Sequence, residues 1–138
     1  MDAVLESLAG ITGFAIYFGA ALALLLAFKF IYAFITPHDE WALVKEEQNI
    51  AAAVGFIGAV IGFALALAGA VANSVSIIDF VVWAIVALVA QTLAFAIVRF
   101  VFMPKIVQRI QDNEVSAGIV LGGTSIAVGL LNAACMTY

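Results

Sequence analysis

Charge is what this sequence has least of: Asp, Glu, Lys and Arg make up 10% of its 138 residues, against about 25% in ordinary soluble domains. It also holds only two prolines, one histidine and one cysteine. Each scarcity excludes something. So few charges cannot clothe a water-soluble surface. A single cysteine, Cys135, forbids an internal disulfide and says almost nothing about redox compartment. Cys135 also lies far from any candidate base, so small-residue packing is expected of it rather than nucleophilic catalysis. His38 stands beside Asp39 and Glu40, but a metal site needs three or four convergent ligands. A surface turn is the reading there, and no metal or cofactor is expected. With no nucleophile–base pair and no ligand cluster, no enzymatic activity is expected either. The net charge of −4 and the lack of a basic cluster give no reason to expect nucleic-acid binding.

What the chain has in abundance is apolar side chains, at 67%. Apolar runs cover Ala9 to Phe28, Ile50 to Ala72, Phe80 to Val98 and Val115 to Tyr138. Each approaches the roughly 20 residues needed to cross about 30 Å of hydrocarbon. Barrel strands alternate apolar and polar residues over about 10 positions, whereas these runs are apolar all round. The fold class is therefore all-α, a polytopic membrane protein in one domain over 1–138. Its four transmembrane helices are placed at about 9–35, 50–72, 77–102 and 115–136. A cleaved signal peptide fits the first run poorly, because the start is acidic (Asp2, Glu6) and the apolar stretch too long.

All five basic residues flank the first and third connections: Lys29 and Lys45 the first, Arg99, Lys105 and Arg109 the third. By the positive-inside rule both long connections are cytoplasmic and both termini periplasmic. In the first connection Thr36, Pro37 and Asp39 occupy the cap, first-turn and capping-box positions of a surface helix over 37–48, with Trp41 at headgroup level. Ser76 and Asp79 form a second box that starts the third span. Met103-Pro104 breaks the chain after it, and Lys105 to Glu114 reads as a polar link.

A shift of 67 places Ala51, Gly55, Gly58, Gly62 and Leu65 over Gly118, Gly122, Ser125, Gly129 and Asn132. Two crossings per half make this a parallel repeat about an axis along the membrane normal. The alternative is that glycine and alanine recur in membrane helices generally. Spacings of four and three put each set on one helical face, a seam for close packing within the chain or between copies, with the left-handed crossing of a 3.5-residue period. Phe63 and Val128 are expected to face lipid.

The turn Ile35-Thr36-Pro37-His38-Asp39-Glu40-Trp41, the outer connection Asn73-Ser74-Val75-Ser76-Ile77-Ile78-Asp79 and the tail Asn132-Ala133-Ala134-Cys135-Met136-Thr137-Tyr138 resemble those of the YjfL-type bacterial inner-membrane proteins of unknown function. The resemblance covers nearly the whole chain. It implies four helices in two helical pairs and, from the membrane-stress genes that often neighbour the family's own, a role in envelope maintenance. It carries over no catalytic residue. Tyr138 stands where some relatives have Trp, which keeps an interfacial aromatic.

Among polar residues Gln91 is the most informative, since an amide near the centre of the third span cannot face hydrocarbon unpaired. A bond to Thr124 or Ser125 is expected, against a pore-lining role. Asn73 and Asn132 sit toward outer helix ends, where they cap or line a vestibule. Lys29 and Arg99 snorkel to the cytoplasmic headgroups or, with Trp41, contact anionic lipid. No Asp or Glu lies inside a span, which disfavours a proton-driven transporter. The expectation is a non-enzymatic accessory or structural inner-membrane protein of envelope maintenance or membrane stress. Its expected partners are membrane lipids, further copies in a homo-oligomer and envelope-stress proteins. The alternative is a small oligomeric channel or transporter for ions or small solutes.

Overall fold

A computed structural model describes residues 2–36 and 40–136. Among the described residues all regular structure is helical, in the order α1 (Asp2–Ile35), α2 (Glu40–Lys45), α3 (Ile50–Asn73), α4 (Ile77–Ile97), a π-helical turn (Val98–Phe102), α5 (Ile106–Gln111) and α6 (Val115–Ala134). Four of these segments, α1, α3, α4 with its π turn, and α6, are long and apolar enough to cross a membrane.

The two halves repeat one plan. A long helix ends at Ile35 in the first half and a long segment at Phe102 in the second, each followed by a six-residue helix. One left-handed residue then turns the chain into the next span, Gln48 (φ 53°) in the first half and Asn113 (φ 58°) in the second. The parallel two-helix repeat is thus visible in the backbone as well as in the glycine pattern.

The N-terminus of α3 is capped by Asn49, whose side chain accepts from the Ala52 amide at 2.8 Å. Ser76 caps α4 by accepting from the Asp79 amide at 3.1 Å, while the Asp79 carboxylate accepts from the Val75 amide at 2.9 Å. Such pairs satisfy amides that a helix start leaves without partners. At the other end of α4 the approach of Pro104, which has no N–H to continue the ladder, coincides with a widened turn closed by Met103 N–H to the Val98 carbonyl at 2.7 Å.

Helices α3 and α6 run parallel and touch from end to end, forming the centre of the molecule. Helix α4 packs on both, and α1 packs on α3 and α4 through its second half. Phe28 stacks on Phe63 with centroids 4.7 Å apart, Tyr32 meets Phe56, and Tyr17 meets Phe80 near the start of α4. Between Asp2 and Ile16 the helix is exposed except at Gly13, over a rise of about 22 Å at 1.5 Å per residue.

Two expectations about the first and third connections change. Within the described residues the surface helix runs over Glu40–Lys45 and ends short of 48, because Gln48 turns left-handed; the Pro37, His38 and Asp39 readings lie outside the described residues. The Thr36 hydroxyl donates back to the Tyr32 carbonyl at 2.9 Å. The link from Lys105 to Glu114 contains α5, whose Ile106 and Ile110 are fully buried one turn apart. A pair of isoleucines at i and i+4 makes one apolar face, which the surrounding polar residues conceal in a linear reading.

Candidate functional site

The glycine seam is the most demanding feature of the molecule. A Cβ at Gly118 would fall on the Ala51 backbone, one at Gly129 on the Gly62 backbone, and one at Gly58 on the Gly122 backbone. At Gly122 it would lie 2.7 Å from the Val54 carbonyl oxygen, and at Gly69 2.8 Å from the Ala133 Cα. The pairs Ala51/Gly118 and Gly62/Gly129 are separated by 67 positions, so the repeat offset is also the contact register. Gly55 is buried on the same helix. Backbones this close maximise dispersion contact in a solvent where water exclusion contributes nothing between helices. Contact sustained over so many turns requires a shallow crossing, because steeply crossed helices separate beyond their closest point.

Three residues meet where α4 joins this seam. Gln91, 3% exposed, donates its Nε2 hydrogen to the Ser125 main-chain carbonyl at 2.8 Å. A Cβ at Gly62 would fall on that same carbonyl and 2.6 Å from Gln91 Nε2, so Gly62 makes room for the amide. Ser125 is one of the two partners expected, and the acceptor is its main-chain carbonyl; its hydroxyl donates to the Leu121 carbonyl at 2.9 Å. Gln91 Oε1 has no partner among the described residues. Asn132 repeats the device nearer the C-terminal end of α6, donating to the Ala87 carbonyl of α4 at 3.0 Å. Asn73 bonds back to the Gly69 carbonyl at 2.8 Å within its own helix.

The lipid-facing expectation for Phe63 is overturned. Phe63 is fully buried beneath Phe28, because it directly follows Gly62 and a helix turns about 100° per residue, from the α6 face to the α1 face. Val128 is half-buried.

At the end of the bundle where α3 and α6 begin, the halves are tied by two asparagines not singled out in the sequence. Asn49 donates to the Ile110 carbonyl at 2.7 Å, and Asn113 accepts from the Ala51 amide at 3.1 Å. The available signals were an Asn immediately before an apolar run and an Asn between polar residues, which mark caps and left-handed turns. Arg109 and Glu114 form a bidentate pair beside them, with Arg109 Nε 2.9 Å from Oε2. The hydrogen bond from Arg109 holds the Glu114 carboxyl below its ordinary range, and reciprocally raises the Arg109 guanidinium.

Of the three residues expected at the cytoplasmic surface, two come together. The Lys29 ammonium lies 4.2 Å from the centroid of the Trp41 ring and 5.2 Å from that of Phe30. They line a cavity of about 190 Å³ with Tyr32, Ala33, Thr36 and Phe56. Arg99 does not join them; its guanidinium lies 5.8 Å from the centroid of the neighbouring Phe100 ring. Cys135 is exposed at the end of α6.

Comparison with known proteins agrees with this architecture. The chain is 42% identical over 135 residues to the UPF0719 inner membrane protein YjfL of Escherichia coli K12, covering 98% of each chain. The protein of the same name from Escherichia coli O157:H7 matches equally. No solved structure matches. A family model described as a Domain of Unknown Function, DUF350, matches residues 6–136, and the chain belongs to that family.

Proposed function

We propose that this chain is a non-enzymatic accessory or structural protein of the bacterial inner membrane, acting in envelope maintenance or the response to membrane stress. The observation that carries the structural reading is the use of the two intramembrane amides. Gln91 and Asn132 both donate to main-chain carbonyls of a neighbouring helix, so the polar groups that could line a path bind helices together. The backbone-to-backbone seam leaves no lumen between α3 and α6. A cavity of about 510 Å³ lies on their flank among exposed Ile57, Ile61 and Ile119. Self-association is part of the proposal, supported by the stretch of α1 from Asp2 to Ile16, which is largely exposed among the described residues.

A small oligomeric channel is the second reading, favoured by one observation: the unpartnered Gln91 Oε1 in the middle of the bundle. Liposome flux separates the two. The structural reading expects purified, reconstituted protein to pass ions and small solutes no faster than empty vesicles. Flux above that control, altered by Gln91→Leu, would establish the channel instead. The proposed orientation has both termini in the periplasm, from the basic residues at the first and third connections. Alkaline phosphatase fused after Tyr138 is therefore expected to be active, and an inactive fusion with a fluorescent counterpart would reverse the topology.

A further inference from the structure

We infer that the cavity between α1, α2 and α3 at Lys29 and Trp41 is a binding site for a phosphate group, and that its source is an anionic phospholipid of the cytoplasmic leaflet. Lys29 belongs to a membrane-spanning helix, next to Phe28, which stacks on Phe63 in the middle of α3. Its ammonium reaches along the α1–α3 groove to Trp41, which itself packs on Phe56, with ring centroids 5.9 Å apart. Phe56, against which Trp41 packs, lies six residues, about 9 Å of helix rise, along α3 from Ile50. A half-buried cation held beside aromatic rings at the membrane interface gains from a counter-charge.

Among the described residues no carboxylate makes an ion pair with Lys29; what it has is the face of Trp41 and the ring of Phe30. Aromatic faces offset part of the desolvation but carry no net charge. Lys29, Phe30 and Trp41 all line the cavity. That cavity, about 190 Å³, has roughly six times a water molecule's share of liquid volume. A phosphate oxygen bound there would give the ammonium a charge-assisted hydrogen bond.

The lipid source follows from the surroundings. Trp41 marks headgroup depth, where tryptophan is enriched. Leu26, Phe30 and Phe34 lie four residues apart along α1 at 67%, 63% and 90% exposure, an apolar ridge beside the cavity along which acyl chains can run. A cation with no carboxylate partner among the described residues selects a headgroup of net negative charge over a zwitterionic one.

The test is thermal protection of the full-length protein in neutral detergent, titrated with phosphatidylglycerol, phosphatidylcholine or inorganic phosphate. Phosphatidylglycerol is expected to protect the parent chain at least about tenfold more effectively than phosphatidylcholine, with inorganic phosphate ineffective. Lys29→Gln should raise the midpoint lipid concentration about tenfold, Trp41→Leu should raise it several-fold, and Lys29→Arg should restore parental behaviour. Lys105→Gln, which removes an exposed cation elsewhere on the same side, should leave it unchanged. Equal protection by the two lipids, parental lipid binding by Lys29→Gln, or an equal loss in Lys105→Gln would overturn the site. Protection by inorganic phosphate at the lipid's midpoint would overturn the lipid source. Should Lys29→Gln fail to fold, Trp41→Leu and Lys29→Arg carry the same comparison.

Discussion

At Gln91 a polar residue in a hydrocarbon environment is reconciled with folding by a single contact, and the sequence already showed that some contact had to exist. Its position near the centre of an apolar run was legible, and so was the neighbourhood of Ser125. The acceptor was not, because a linear reading pairs side chains with side chains, whereas a glycine at position 62 lets Gln91 reach main chain. Losing one interhelical bond in a membrane protein costs about 0.6–1.7 kcal/mol. Gln91→Leu also removes the unpartnered Oε1, which offsets part of that loss. The expected result is therefore a small fall in stability, below about 1.5 kcal/mol, read as a melting-temperature shift in detergent. Complete failure to fold would show that the amide organises far more than this bond.

At the scale of helices, length and apolarity announced the spans, but their apolar surroundings concealed which faces meet. Glycine supplied the missing phase in α3 and α6, since seam positions at intervals of three and four face each other in the structure. Phe63 was misplaced because hydrophobicity alone gives no phase in a helix apolar all round. Helix α5 was missed for the opposite reason, its buried Ile106 and Ile110 being scattered through a polar link. The seam separates glycines that packing requires from those it does not. Gly58→Ala drives a methyl into the Gly122 backbone, whereas a Cβ at Gly123 meets nothing within 4 Å. The first substitution is expected to cost about 1–3 kcal/mol by overpacking. The second should be neutral or gain up to about 1 kcal/mol from helix propensity. Thermal melts of the two variants check this, and equal melting temperatures would remove the seam from the account.

For the whole molecule, the central claim is that one helix–link–helix unit occurs twice and that its second helices pack in parallel at an offset of 67. The repeat was legible in the glycines, and the structure adds the matching short helices and the left-handed turns at Gln48 and Asn113. Function was far less legible, because a chain with few ionisable groups leaves little chemistry to recognise. What its architecture offers is a closely packed two-helix spine flanked by α4 and by an α1 whose first half is largely exposed among the described residues. The parallel register is tested most directly by disulfide trapping in a Cys135→Ser background. Ile57 and Gly123 line the same flank groove across α3 and α6, and nothing fills the space at Gly123. With cysteines at both positions, mild oxidation is expected to give an intramolecular cross-link, a band of altered mobility at monomer mass. No such band, together with efficient cross-linking between Ile57→Cys and a cysteine replacing Leu130 instead, would contradict the register and with it the repeat.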